Sequence, residues 1–152
     1  MNKEIIIEEQ IFKFEYIKEH KIWYLGYNEF DFLKIGHDVD ITIEEAEPNW
    51  IRIELFLNFI LNDIIRFKKL IEYSNLKLEE LFNDIFGGIE TGVNNIFFTL
   101  SNITYIKQPQ NTECFEYILD FNIGSETNRD FFMYETWNAL VKDYELENVS
   151  KS

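Results

Sequence analysis

Phe12, Phe14 and Tyr16 alternate with Lys13 and Glu15, a two-residue period that puts three rings on one face of a strand and charges on the other. Trp23, Leu25 and Tyr27 repeat the period after the polar break Lys18 to Lys21, and Phe30 and Phe32 resume it after Asn28-Glu29. Gly36-His37-Asp38 reads as a turn, after which Val39, Ile41 and Ile43 oppose Asp38, Asp40, Thr42 and Glu44. The first 45 residues are therefore predicted to form an antiparallel meander of four or five strands with one wet face.

From Pro48 the period lengthens to that of a helix. Ile53, Phe56, Leu57, Ile60, Ile64, Phe67 and Ile71 recur at helical spacing and predict a long helix over residues 50 to 73, widened by Leu55, Phe59, Leu61 and Ile65. Ser74-Asn75 reads as its stop and as the cap of a short second helix carrying Leu78, Leu81, Phe82 and Ile85, which Gly87-Gly88 ends. Strands follow. Ile96, Phe98 and Leu100 share one parity and Ile103 and Tyr105 the other, so a bulge is expected near Ser101-Asn102. Gln108 to Thr112, with Pro109, makes a turn, and Phe115, Tyr117, Leu119, Phe121 and Ile123 then alternate with Cys114, Glu116, Asp120 and Asn122. At the end of the chain Met133, Trp137, Leu140, Val141 and Tyr144 fit a helix, while Trp137, Ala139 and Val141 also fit a strand leading into a hairpin; the helix is preferred. The expected fold class is α+β: an N-terminal antiparallel meander, a long and a short helix packed on the sheet, further antiparallel strands and a C-terminal helix. No repeat or linker divides residues 1–152, which are read as a single domain.

Aromatic residues make up 17% of the chain, so a few large rings dominate the expected core, with Trp23, Trp50 and Trp137 read as part of it. The single Cys114 cannot form an internal disulfide, and the three isoleucines ending at Ile7 are flanked by Glu4, Glu8 and Glu9 where a secretory leader would be basic. A cytoplasmic location is expected. Mean hydropathy of -0.23 argues against a membrane protein.

Charge changes the picture most. The formal net charge is -14, from 28 acidic and 14 basic side chains, which disfavours nucleic acid and favours a basic partner drawn in by electrostatic steering. The excess is spread: residues 1 to 50 hold 12 acids against 5 bases, residues 51 to 100 hold 7 against 5, and residues 101 to 152 hold 9 against 4.

Chemical motifs are few. Gly87 to Gly92 has phosphate-loop spacing, but Val93-Asn94 stand where Lys and Ser or Thr are needed, so it reads as a helix stop and turn. In His37-Asp38-Val39-Asp40 the strand period leaves only Asp38 and Asp40 pointing together, with Glu44 extending the row, too few ligands for a metal site. Acidic Glu113 and Glu116 beside Cys114 disfavour a thiolate nucleophile. Arg66, Lys68 and Lys69, the only basic cluster, complement the C-terminal end of the predicted long helix. No catalytic residue, metal or cofactor is expected.

The reading that follows is a noncatalytic acidic protein-binding module that offers Asp38, Asp40 and Glu44 to a basic protein partner, with no role for nucleic acid or a membrane. A small enzyme using carboxylates in a helix–sheet pocket and a structural subunit of a complex are the alternatives. In its size, acidity and lack of motifs the chain is similar to bacterial immunity proteins, which neutralise a toxin by covering its basic site. The similarity is one of type and transfers no residues.

Overall fold

The computed structural model describes residues 1–26, 31–87, 96–108, 113–124 and 135–151. Eight strands form one sheet in chain order: β1 (Asn2–Ile7), β2 (Gln10–Ile17), β3 (Ile22–Leu25), β4 (Asp40–Ile43), β5 (Phe97–Tyr105), β6 (Glu116–Gly124), β7 (Trp137–Lys142) and β8 (Glu145–Lys151). Two helices, α1 (Trp50–Asn62) and α2 (Ile64–Phe86), connect β4 to β5. The fold is α+β, as the change of hydrophobic period predicts.

Strand pairs are antiparallel except β4 with β5, where Ile41 lies beside Ile103 and Ile43 beside Tyr105 in parallel. The expected antiparallel meander and the further antiparallel strands are both present, and the parallel pair is the join between them. Parallel neighbours need a long crossover, and the two helices supply it. The chain thus reads as two four-stranded meanders joined edge to edge along the β4–β5 pair.

The predicted C-terminal helix is absent: that segment folds as the β7–β8 hairpin. Pairing decides the matter, since Trp137, Ala139 and Val141 lie opposite Phe121, Leu119 and Tyr117 of β6 and are fully buried by that register. Met133 of the predicted helix lies outside the described residues. The central helices also divide elsewhere than expected. The break falls at Asp63 (φ -140°, ψ 64°), whose carboxylate accepts from the Arg66 N–H at 3.1 Å and so caps α2. Asn49 caps α1 in the same way through Arg52 N–H, at 3.3 Å. Ser74, read as a stop, is buried inside α2 with its hydroxyl donating back to the Leu70 carbonyl at 2.8 Å, a bond that leaves the helix intact.

The bulge is where parity places it, between Leu100 and Asn102, and it returns Ile103 and Tyr105 to the same face as Phe98 and Leu100. Phe32, expected in a strand, is buried in the β3–β4 connection, where the Asp31 carboxylate accepts from Ile35 N–H (3.0 Å) and Gly36 N–H (2.6 Å). Tyr27 to Phe30 and Pro109 to Thr112 lie outside the described residues.

Helices cover one face of the sheet. Register rows such as Trp23–Ile43–Tyr105–Tyr117–Val141 line that face, and Ile53, Phe56, Leu57, Ile60, Phe67, Leu70 and Leu78 close over it. Phe56 is central, with its ring 5.0 Å from Tyr105, 5.4 Å from Phe115 and 5.0 Å from Tyr117. Among the described residues no helix is long and apolar enough to cross a membrane.

Candidate functional site

Of the three carboxylates singled out, Asp38 and Glu44 are exposed at either end of β4. Asp40 is half-buried and accepts a hydrogen bond from the Tyr24 hydroxyl at 2.5 Å, so it is engaged within the sheet. The ring of His37 is tied to the Leu100 carbonyl (2.8 Å) and the Glu44 N–H donates to the Tyr105 carbonyl (3.0 Å), which anchors both ends of β4 to β5.

Asp40 lies in register beside a polar network on the face of the sheet opposite the helices. In register lie Asp40, Asn102, Asp120 and Asn138, one from each of β4 to β7. Asp120 accepts from Asn102 Nδ2 (2.9 Å), Thr104 Oγ1 (2.7 Å) and Asn138 Nδ2 (2.5 Å), while Thr42 Oγ1 donates to Asn102 Oδ1 (3.2 Å). Single-strand alternation marks each of these positions as outward, but only the strand order brings them together. The network pins register across four strands and leaves Asp120 with its donors already supplied.

An acidic stretch of chain lies beyond the end of β4. Glu44, Glu45, Ala46, Glu47 and Pro48 lead into α1, and next to them opens a cleft of about 380 Å³ lined by Met1, Tyr16, Trp23, Ala46, Glu47, Pro48 and Trp50. Its walls are aromatic. Trp23 and Trp50 meet at 88° with centroids 4.9 Å apart, and Tyr16 lies 5.2 Å from Trp23 at 42°. Trp23 Nε1 donates to the Ala46 carbonyl at 3.0 Å and fixes the connection against the wall. Trp23 is buried, as read from sequence, whereas Trp50 is half-buried and faces the cleft. Glu45 is felt by Tyr105, whose hydroxyl is pushed up to about 12 by burial first; nearby Arg52 opposes the rise and Glu45 adds to it.

A second cleft, of about 540 Å³, sits at the β7–β8 turn, where Phe59, Phe115 and Tyr144 are edged by Glu113, Asp143, Glu145 and Glu147. Its own cations already cover the rings: Arg66 lies 4.5 Å from the Tyr144 centroid and Arg52 lies 4.1 Å from that of Phe115. Asp143 fastens the turn, its carboxylate accepting from Phe115 N–H (2.9 Å) and its carbonyl from the Tyr117 hydroxyl (2.5 Å).

Among the described residues two ion pairs form, Lys77–Glu80 at 3.2 Å and Lys151–Glu135 at 3.0 Å. Asp38, Glu44, Glu45 and Glu47 meet no cation of the described residues at that range. No group of three or more His, Cys, Asp or Glu among the described residues is arranged to hold a metal ion. Of the Gly87–Gly92 segment only Gly87 is described; its N–H donates to the Asn83 carbonyl at 2.7 Å and ends α2. Comparison with family models, with characterised proteins and with solved structures gave no match.

Proposed function

We propose that the chain is a noncatalytic protein-binding module that presents an acidic surface, centred on the end of β4, to a basic protein partner in the cytoplasm. The observation that carries this reading is carboxylate left without counter-charge. Acids exceed bases by 14, yet the described residues form two ion pairs. A surface of that sign steers a cationic partner and repels phosphate backbones. Asp38, Glu44 and Glu47 are exposed along one stretch of chain, and Asp40 contributes its charge from the sheet face. Inhibition of a basic toxin by covering its active surface, as immunity proteins do, is the role that best suits this size and charge.

The test is capture of proteins from the source cell on the immobilised chain, followed by a salt gradient and identification. The expected outcome is a basic protein held at low salt and released as the screening length falls from about 10 Å at 0.1 M towards about 3 Å at 1 M. Reversing Asp38, Glu44 and Glu47 to Lys should abolish retention, and reversing Glu113, Glu145 and Glu147 should weaken it less. Equal retention by wild type and the β4-end variant would overturn the proposal.

One observation favours a second reading, a subunit of a complex. Ile51 and Leu55 on α1, and Tyr73 and Leu76 on α2, are exposed apolar pairs at helical spacing. A constitutive oligomer in light scattering would support it.

A further inference from the structure

We propose that β1, at the edge of the sheet, takes up an extended segment of the partner protein as an added antiparallel strand, an inference that rests on the acidic-module reading above. β1 comes first in the strand order, so among the described residues it is paired on one side only, by β2. The turn between them fixes which backbone groups are left over. Glu8 and Glu9 both have positive φ, the type I′ geometry in which the flanking residues, Ile7 and Gln10, form a bonded pair. Bonded and non-bonded pairs then alternate, and the Tyr16 N–H bond to the Met1 carbonyl at 3.1 Å keeps the same parity. The amides and carbonyls of Asn2, Glu4 and Ile6 therefore point away from β2, along the open edge.

Devices that close an edge are present on β8, at the other side of the sheet, and missing on β1. The register of β8 on β7 shifts between Leu140 and Val141, which bulges the strand, and the Lys151–Glu135 ion pair ties down its end. β1 is in unbroken register with β2 and contains no proline. Its lysine does not guard the edge, because Lys3 Nζ is turned inward to 5.7 Å from the Trp50 centroid. Beside the edge, Ile6 (63% exposed) lies across from Ile11 (51% exposed), an apolar step on the face away from the helices. Glu4, exposed on that same face, lies across from Lys13 without closing to an ion pair. The edge therefore suits an apolar side chain opposite Ile6 and a cationic one opposite Glu4. An antiparallel strand meets both with an apolar residue followed two positions later by lysine or arginine. Such a strand ends beside Met1, which shares a cleft with Glu47, and so runs into the acidic stretch after β4. A second copy of the chain fits worse. Two-fold pairing of β1 with itself sets like charges opposite when centred on Lys3 or Glu4, and Glu4 against Ile6 when centred on Ile5, between chains of net charge -14 each.

The probe is the peptide acetyl-Thr-Val-Thr-Lys-Thr-Thr-amide, whose valine and lysine fall opposite Ile6 and Glu4, titrated into the isotope-labelled intact chain and followed by backbone amide NMR. Saturable shifts and slowed exchange at the Glu4 and Ile6 amides are expected. Glutamate in place of the probe's lysine should weaken binding about two- to tenfold, as an attractive cross-strand pair becomes a repulsive one. N-methylation of the probe's valine and lysine, whose amides face β1, should abolish it. Ile6→Pro removes an outward donor that β2 does not use and should do the same, with a melt to show that it folds. Glu4→Gln leaves the backbone unaltered and should narrow the gap between the lysine and glutamate probes. No saturable shift, equal affinity for the two probes, or undiminished binding of the N-methylated peptide would overturn the proposal. Shifts at the same amides on concentrating the chain alone would give the edge to a second copy and overturn it too. If basic-protein capture depends on Asp38, Glu44 and Glu47 while the probe is silent, the edge site fails and the acidic module stands. A saturable probe with no captured basic protein gives the converse result.

Discussion

Replacing Phe56 by Ala removes the side chain on which the helix layer is keyed to the second meander. Phe56 is 1% exposed, and its ring meets Tyr105 on β5, Phe115 just before β6, and Tyr117 on β6. Truncating a buried Phe costs about 3–5 kcal/mol in lost transfer energy and cavity. Three ring contacts, each of about 0.5–1.5 kcal/mol beyond area, place this position towards the top of that range, at about 4–5 kcal/mol. For a chain of this length the melting temperature moves about 2–4 °C per kcal/mol, so a fall of roughly 8–20 °C is expected. Urea unfolding followed by tryptophan fluorescence measures the loss, with the denaturant slope checked for constancy. Leu55→Ala is the control one residue earlier; at 52% exposure it should cost well under half as much. Equal losses at 55 and 56 would refute the assignment of the buried face of α1.

Three further outcomes are expected. The β1–β2 turn carries Glu8 and Glu9 at φ of 48° and 68°, a left-handed pair suited to Asn-Gly, so Glu8→Asn with Glu9→Gly should raise stability by about 1–2 kcal/mol in the same urea assay. Asp120→Ala removes the acceptor shared by Asn102, Thr104 and Asn138 and should cost about 1.5–3 kcal/mol; a change below about 0.5 kcal/mol would make the network decorative. Tyr105 has a folded pKa of about 12 against 10.0 unfolded, so the folded state holds the proton more tightly. Its contribution to stability is complete below pH 10 and is lost as pH rises towards 12, and Tyr105→Phe should make the urea midpoint fall less steeply over that window.

Much of the sheet is legible in the chain because a strand with one buried face writes its period directly into residue order. Phe12, Phe14 and Tyr16 on β2, Ile41 and Ile43 on β4, and the parity change around Ser101 that marks the β5 bulge all belong to this class. The β1–β2 hairpin is harder to read, since Glu8-Glu9 lacks the turn chemistry its backbone angles call for. The helix break is harder still. An apolar stripe runs unbroken across Asn62-Asp63, and the capping geometry of Asp63 decides the division while Ser74 bonds back to its own helix.

At the candidate site, the acidity of the Asp38–Glu47 stretch and the presence of Tyr16, Trp23 and Trp50 are facts of sequence, but their juxtaposition is not. Tyr16, Trp23 and Trp50 sit on β2, β3 and α1, and only strand pairing and the docking of α1 bring them to one cleft. The same holds for Asp40, Asn102, Asp120 and Asn138, which span almost a hundred positions and share one row. Local periodicity thus determined most of the strands, the helical character of residues 50–86 and their buried faces, which depend on neighbours in the chain, and composition alone determined the net charge. The parallel join of β4 to β5, the choice of strand over helix at Trp137 and the chemistry of the clefts depend on partners distant in sequence. Tertiary structure alone could decide them.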